Sequence, residues 1–267
     1  MLKDITLGQY FAGDTVVHRL DPRAKLILVV VYIVTLFSAK WFVTYGIVLL
    51  TLAGVILASQ IAPKTIIKSL KPLLFIIVLT GILNLFYTQG EPLVKIWVLT
   101  ITKEGIFSAV FMVLRIVMLI AGTFMLTYTT SPIALTDGLE RLLNPLKKIK
   151  VPVHELSMMM CIALRFIPTL IEETDKIMSA QKARGADFET GSLFSRAKAL
   201  IPILVPLFIS SFRRADELAV AMECRCYHGG DGRTRMKELH YQRNDILALV
   251  GGIVILAGVI VLGRFGL

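Results

Sequence analysis

The sequence has few charged residues and lacks the common signatures of catalysis. Charged side chains make up 18% of the 267 residues and hydrophobic ones 55%, whereas a typical soluble domain has roughly 25% charged residues. There is no Gly-rich phosphate-binding loop, no His-Glu-x-x-His zinc motif and no Gly-x-Ser-x-Gly nucleophile elbow. These absences give no support to an enzyme. The excess of apolar residues is typical of a protein that exposes surface to lipid.

Cysteine is also sparse, with only Cys161, Cys224 and Cys226. A small, odd number argues against a disulfide framework. Cys224, Cys226 and His228 alternate along the chain and could bind a soft metal, but no fourth ligand is evident and structural zinc usually has four. We therefore predict no metal site and no cofactor in this chain.

Several apolar runs are candidates for membrane-spanning helices, which need about 20 mostly apolar residues. They cover residues 24–39, 41–59, 70–87, 106–128 and 246–262. Lysine and arginine are concentrated before the first run, between the second and third, and between the fourth and the last. By the positive-inside rule this places the N-terminus in the cytoplasm and the C-terminus outside, which agrees with an odd number of spans. The prediction is a multi-pass protein of the plasma membrane.

These runs divide the chain into three parts. Residues 1–128 form a predicted membrane domain with four spans, residues 129–245 a cytoplasmic domain, and residues 246–267 a final transmembrane helix. The net charge of +10 is then explained by orientation in the membrane and by docking of acidic partners.

The predicted cytoplasmic domain still contains apolar residues at i, i+3, i+4 and i+7, the pattern of amphipathic helices. A short helix begins at Ser131, a long one near Val153, and a second long one covers about 192–227. The fold class is therefore an all-α membrane protein. Two proline-containing stretches of this domain, 156–170 and 200–212, could instead be kinked spans, which would raise the number of spans from five to seven.

The two long helices are predicted to end alike, each with an arginine between small residues. The sequences at the ends are Ala183-Arg184-Gly185 and Cys224-Arg225-Cys226. One interpretation is an ordinary pair of helix ends, because glycine ends helices and a basic residue favours the negative end of the helix dipole. The other is a pair of docking tips, because arginine can form a bidentate pair with a carboxylate of a partner.

Four stretches resemble the transmembrane T component of energy-coupling factor transporters, a branch of the ATP-binding-cassette importers. They are Leu20-Asp21-Pro22-Arg23-Ala24-Lys25-Leu26, Thr129-Thr130-Ser131-Pro132, Ala183-Arg184-Gly185 and the motif around Arg225. The likeness covers essentially the whole chain. The paired motif of that family is Ala-Arg-Gly or similar, and the second copy departs from it because cysteines flank Arg225.

This resemblance implies a non-catalytic coupling subunit. In the family, two cytoplasmic ATPases bind the arginine tips, and they also hold the ATP and magnesium. Their motion passes along the long helices to a small membrane-embedded S component that delivers a vitamin or similar micronutrient. The resemblance assigns residues 183–185 and 224–226 to ATPase docking. It assigns contact with the S component to Met158, Met159, Met160, Ile167 and Ile171, although the methionines could equally fill the core of their own domain.

Other functions remain as alternatives. A cobalt or nickel importer of the same scheme would differ only in its partners. A self-contained carrier or channel would need a polar path, and Arg115 is the charged residue within the fourth run. It could serve such a path, or it could face the helix bundle and contact backbone or a polar side chain. Nucleic-acid binding is not expected, because the positive charges are interspersed with acids and lack a pattern of stacking aromatics.

Overall fold

The computed structural model describes residues 10–88, 92–96, 99–186, 188, 192–230 and 238–265. These residues are mostly helical, which confirms the predicted all-α class. In chain order the helices are α1 (Val16–Arg19), α2 (Pro22–Ser38), α3 (Phe42–Ser59), α4 (Pro63–Leu70), α5 (Leu74–Tyr87), α6 (Lys103–Thr129), α7 (Pro132–Leu143), α8 (Val153–Ala183), α9 (Leu193–Cys224) and α10 (Arg243–Phe265).

The chain forms two compact units. The bundle unit comprises Gly8–Gly138 and Leu239–Leu267, and the helix-pair unit comprises Leu139–Glu238. The bundle unit contains α1 to α6 and α10, and the helix-pair unit contains α8 and α9.

The core of the bundle unit lies where α2, α3, α6 and α10 meet. Leu36, Val48, Met118, Tyr128 and Val259 are at most 1% exposed there. The outward faces of the same helices are apolar and exposed, which suits contact with lipid rather than water. The apolar runs of the sequence thus form helices that pack on one side and present hydrocarbon on the other.

Within the described residues, five helical segments are long and apolar enough to span a membrane, one of them made of α4 and α5 in succession. They are Phe42–Ser59, Pro63–Tyr87, Lys103–Thr129, Val153–Ala183 and Arg243–Phe265. Four of them coincide with predicted spans. The fifth is α8, the least apolar of the set. It contains the stretch 156–170, for which a kinked span was the alternative to a cytoplasmic helix. Conversely, α2 has 17 residues and is about 25 Å long, less than the roughly 30 Å hydrocarbon core.

A short β-hairpin lies between α5 and α6, where no strand was predicted. Strands β1 (Pro92–Ile96) and β2 (Leu99–Thr102) pair antiparallel, with Ile96 opposite Leu99. The hairpin is a small addition to the all-α fold and carries none of the predicted site residues.

The two long helices of the helix-pair unit are continuous through their prolines. Helix α8 has 31 residues and includes Pro168, and α9 has 32 residues and includes Pro202 and Pro206. The prediction of two long helices in this part of the chain is confirmed. The prolines do not end either helix, since the hydrogen bonds of the other residues continue on both sides of each proline.

Candidate functional site

The first arginine tip is a helix end with a complete pair of capping bonds. Arg184 is the C-cap residue of α8, and Gly185 follows with φ +87°. The Gly185 N–H donates to the carbonyl of Lys182, and the Ala186 N–H donates to the carbonyl of Gln181, both at 3.0 Å. This is the Schellman arrangement, in which a left-handed residue after the C-cap turns the chain back onto the helix.

The second tip has the same arrangement at the corresponding residues. Arg225 follows the last residue of α9, and Cys226 adopts φ +55°. The Cys226 N–H donates to the carbonyl of Glu223 at 2.8 Å, and the Tyr227 N–H donates to the carbonyl of Met222 at 3.0 Å. Both predicted arginines therefore occupy the C-cap position of the same motif.

The two tips differ at the left-handed position. Glycine adopts positive φ without steric cost, so Gly185 suits its place. Cys226 carries a side chain in a conformation that L-residues rarely adopt. Sequence comparison of the two motifs showed cysteine in place of glycine, but only the backbone reveals that this cysteine occupies the strained position.

Helices α8 and α9 run antiparallel. Near the middle, the Glu173 carboxylate accepts hydrogen bonds from the Ser210 hydroxyl and from Arg214, the latter at 3.1 Å. The Arg214 guanidinium also lies 5.8 Å from the ring centre of Phe166. Positions early in α8 thus lie beside positions late in α9. The arginine tips consequently point to opposite ends of the pair.

The second tip is attached to the beginning of α8. The Tyr227 hydroxyl lies 3.3 Å from Nε2 of His154, and Nδ1 of the same imidazole lies 3.1 Å from the Glu140 carboxylate. His154 is the second residue of α8, so Arg225 lies near the start of this helix and Arg184 at its end. About 45 Å of helix separates these two positions.

Of the residues predicted to contact an S component, Met160, Ile167 and Ile171 share one side of α8, whereas Met158 lies on the opposite side and Met159 between them. Met159 is 54% exposed, while the other four are half-buried. A larger apolar surface lies on α9, and it was not among the predicted contact residues. Its exposed residues recur at helical spacing and are Ile201, Leu204, Val205, Phe208, Ile209 and Phe212. The same periodicity is visible in the sequence of the predicted helix at about 192–227.

The Asp21-Pro22-Arg23 segment forms a buried connection between the starts of α2 and α10. Asp21 caps α2, and its carboxylate forms a bidentate pair with Arg23 at 2.8 and 3.0 Å. Arg23 also donates to the Leu239 carbonyl at 2.9 Å and lies 4.1 Å from the ring centre of Tyr241. The backbone N–H of Asp21 donates to Asp245 at 2.8 Å.

Lys25 and Asp245 extend this polar cluster to the end of α6. Asp245 is 1% exposed, and its second oxygen accepts the Gln242 N–H at 2.7 Å. The Lys25 ammonium donates to the Thr129 carbonyl at 2.8 Å and to the Thr130 hydroxyl at 3.1 Å. Two of the four sequence stretches that suggested the family resemblance, 20–26 and 129–132, are thus brought together.

Arg115 has a structural role within the bundle unit. Its Nε donates to the Tyr45 hydroxyl at 2.8 Å, and Nη2 donates to the Ala39 carbonyl at 3.2 Å. Ala39 is the C-cap of α2, where carbonyls lack helical partners and a positive charge is favoured. This matches the interpretation of Arg115 as a bundle residue that contacts backbone and a polar side chain.

These features define a class of protein, an all-α membrane protein with two long antiparallel helices that each end in an arginine-centred cap. The family model described as CbiQ, cobalt transport protein, matches residues 13–236. An energy-coupling factor transporter transmembrane protein of Clostridium kluyveri is 57% identical over 96% of this chain and 95% of its own length. The corresponding proteins of Thermosediminibacter oceani and Bacillus subtilis are 54% and 46% identical, and each alignment covers at least 93% of both chains.

The chain belongs to this family of energy-coupling factor transporter transmembrane proteins. The resemblance noted in the sequence is confirmed, and the chain is a multi-pass membrane component of a transport system.

Proposed function

We propose that the chain is the non-catalytic coupling subunit of an energy-coupling factor importer. In this proposal two cytoplasmic ATPases bind Arg184 and Arg225, and their motion is transmitted through α8 and α9 to a substrate-binding S component that carries a vitamin or similar micronutrient. ATP and magnesium belong to the ATPases.

The observation that carries this proposal is the paired geometry of the tips. Arg184 and Arg225 occupy the same position in the same cap, and both are exposed. Within the described part of the chain neither guanidinium forms an ion pair, so both remain available to carboxylates of a partner. Their placement at opposite ends of an antiparallel pair suits two partners better than one.

The exposed apolar face of α9 supports binding of a hydrophobic partner by the same unit. Phe208 and Phe212 are 61% and 68% exposed, one helical turn apart, and Met159 adds a flexible thioether on α8. Large exposed apolar patches mark interaction surfaces. We assign this face, together with the five α8 residues predicted from the sequence, to the S component.

The topology in this proposal has the N-terminus in the cytoplasm, the C-terminus outside, and residues 129–245 in the cytoplasm. Helix α8 is long enough to span, but Arg165 in its middle is exposed. An arginine at the centre of a spanning helix costs roughly 2.5–3.5 kcal/mol on insertion scales. We therefore place α8 against α9 and its partners rather than across the membrane.

The test is co-purification of the tagged protein from its native membrane. The variants are Arg184→Glu, Arg225→Glu and the double substitution. Arg213→Glu is the matched control, since it makes the same charge change at an exposed position in the middle of α9. We expect two ATP-binding-cassette ATPases and a small hydrophobic protein with the wild type and the control, and loss of the ATPases from the double variant.

Retention of the ATPases by the double variant would show that the tips are ordinary helix ends. The identity of the co-purified small protein also separates vitamin uptake from the cobalt or nickel alternative. A wild-type chain that purifies alone would favour a self-contained carrier.

A further inference from the structure

The amphipathic helix α4 of the bundle unit carries a cationic surface that the coupling function does not use. Lys64, Lys68 and Lys71 are exposed, and in the described structure none of them forms an ion pair or a side-chain hydrogen bond. Lys71 directly follows the last residue of α4 and keeps helical backbone angles. At about 100° per residue, the three positions lie within an arc of about 60° around the helix. The lysines therefore form a single face, which we call the α4 lysine face.

The opposite side of α4 is fixed to the bundle. Ile66 is 6% exposed and belongs to the buried core, and the Ser69 hydroxyl bonds the hydroxyl of Tyr128 near the end of α6. The lysine face is thereby held outward. Its orientation follows from packing and not from the lysines themselves.

The position of α4 along the bundle places the lysines beside the membrane surface. The candidate span Pro63–Tyr87 begins with α4 and continues as the apolar helix α5 from Leu74, and Phe75 is 74% exposed. Lys71 and Lys68 precede Leu74 by about 4.5 and 9 Å of helix. The headgroup region extends about 5–7 Å beyond the hydrocarbon core, and lysine side chains can extend along it.

The charge on this face is unopposed in the sequence as well. Residues 22–90 contain no aspartate or glutamate. A protein partner with acidic residues would match such a face, but the neighbouring exposed Ile67, Leu74 and Phe75 need hydrocarbon and not water. An anionic phospholipid supplies both partners, because its phosphate can contact the lysines and its acyl chains can contact the apolar residues.

We propose that the α4 lysine face binds the headgroups of anionic phospholipids, in preference to zwitterionic ones. Each lysine near a charged surface contributes about fivefold in affinity at low ionic strength. Three lysines on a fixed face therefore select anionic lipid locally, and this holds whether or not ATPases are bound to the helix-pair unit.

The experiment uses a tryptophan reporter beside the face in the full-length protein. Ile67→Trp is introduced after both native tryptophans, Trp41 and Trp97, are replaced by phenylalanine. The purified protein is reconstituted in phosphatidylcholine vesicles with brominated phosphatidylglycerol or brominated phosphatidylcholine. Quenching of the reporter then gives the relative binding constant of the two lipids at this position.

We expect a preference for phosphatidylglycerol of at least fivefold in low salt. The preference should fall in 0.5 M NaCl, because the Debye length there lies between about 3 and 10 Å and the lysine charges are screened. Lys64→Gln/Lys68→Gln/Lys71→Gln should abolish it, and the corresponding triple arginine variant should retain it. The control Lys147→Gln/Lys148→Gln/Lys150→Gln makes the same charge change in the helix-pair unit and should leave the preference intact. The proposal fails if the lysine-face variant keeps the preference, or if the control loses it equally, since net charge would then explain the effect.

Discussion

Exchange of the residue at the left-handed position of the two caps tests the equivalence of the arginine tips. Gly185 and Cys226 follow the C-cap arginines at φ +87° and +55°. A Cβ would meet no described atom within 4 Å at Gly185, so a substitution there acts through the backbone alone. We consider Gly185→Ala and the reciprocal change Cys226→Gly.

The expected magnitude follows from two opposing effects. A side chain in the left-handed region costs about 1–2 kcal/mol. Replacing glycine also reduces the entropy of the unfolded chain, which returns about 0.4–1 kcal/mol. The net loss for Gly185→Ala is therefore about 0.5–1 kcal/mol, and Cys226→Gly should gain a similar amount.

The assay is hydrogen exchange of the two amides that close each cap. In Gly185→Ala, amides 185 and 186 should exchange about two- to fivefold faster because the cap opens more often. In Cys226→Gly, amides 226 and 227 should exchange more slowly by a similar factor. Gly54→Ala is the control, because Gly54 is inside α3 and a Cβ there meets no described atom within 4 Å.

If both caps share one motif, the two substitutions must change amide exchange in opposite directions. If Cys226→Gly left the exchange of amides 226 and 227 unchanged or made it faster, Cys226 would not be strained in this position. The two tips would then not share a capping motif in solution, and the structural basis for treating them as a pair would be lost.

Further predictions concern the bundle unit. Tyr45→Phe removes the hydroxyl that accepts from Arg115 and should lower the free energy of unfolding by about 1 kcal/mol. Arg115→Ala should lower it by more. Thermal unfolding of both single variants and the double variant in detergent gives the coupling energy of the pair. Asp245→Asn should lower stability by about 3 kcal/mol or more, measured in the same way, because a buried charge that accepts two backbone N–H groups is replaced by an amide. Burial lowers the pKa of His18, whose ring donates to the Phe11 carbonyl, below the usual 6.5. The contribution of the neutral His18 ring to stability is therefore complete above pH 6.5 and is lost as the pH falls below it. The thermal midpoint of the His18→Gln variant should consequently change less between pH 8 and pH 5 than that of the wild type.

The helical layout could be predicted because apolar runs and caps are local signals. The start of α2 follows from Asp21 and Pro22, and α8 and α9 follow from their periodicity and their arginine ends. The β-hairpin could not be predicted in this way, because strands of four or five residues have no distinct period.

The continuity of α9 through Pro202 and Pro206 has a physical reason. The two prolines are four residues apart, and the bond missing at Pro206 is the one to the carbonyl of Pro202. The losses thus fall on one side of the helix, and the remaining ladder keeps α9 continuous.

The polar cluster could not be predicted, because its partners are far apart in the chain. Asp21 and Asp245 are separated by 224 positions, and no local pattern reports such a pairing. The sequence stretches of the family resemblance marked Asp21 and Lys25 but not Asp245. Only the packing of α2, α6 and α10 shows why a lysine and two aspartates can be buried together.

The length of α8 fixes the spacing between the two arginines. Tyr227 contacts the first turn of α8, and Arg184 follows its last turn. The distance between the two tips is therefore the length of α8. Removal of four residues from the middle of α8 would bring the tips about 6 Å closer and turn one of them by about 40° relative to the other. The number of residues in α8 therefore sets both the distance between the tips and their relative rotation about the helix axis. Two partners that bind both tips at once must match these two quantities.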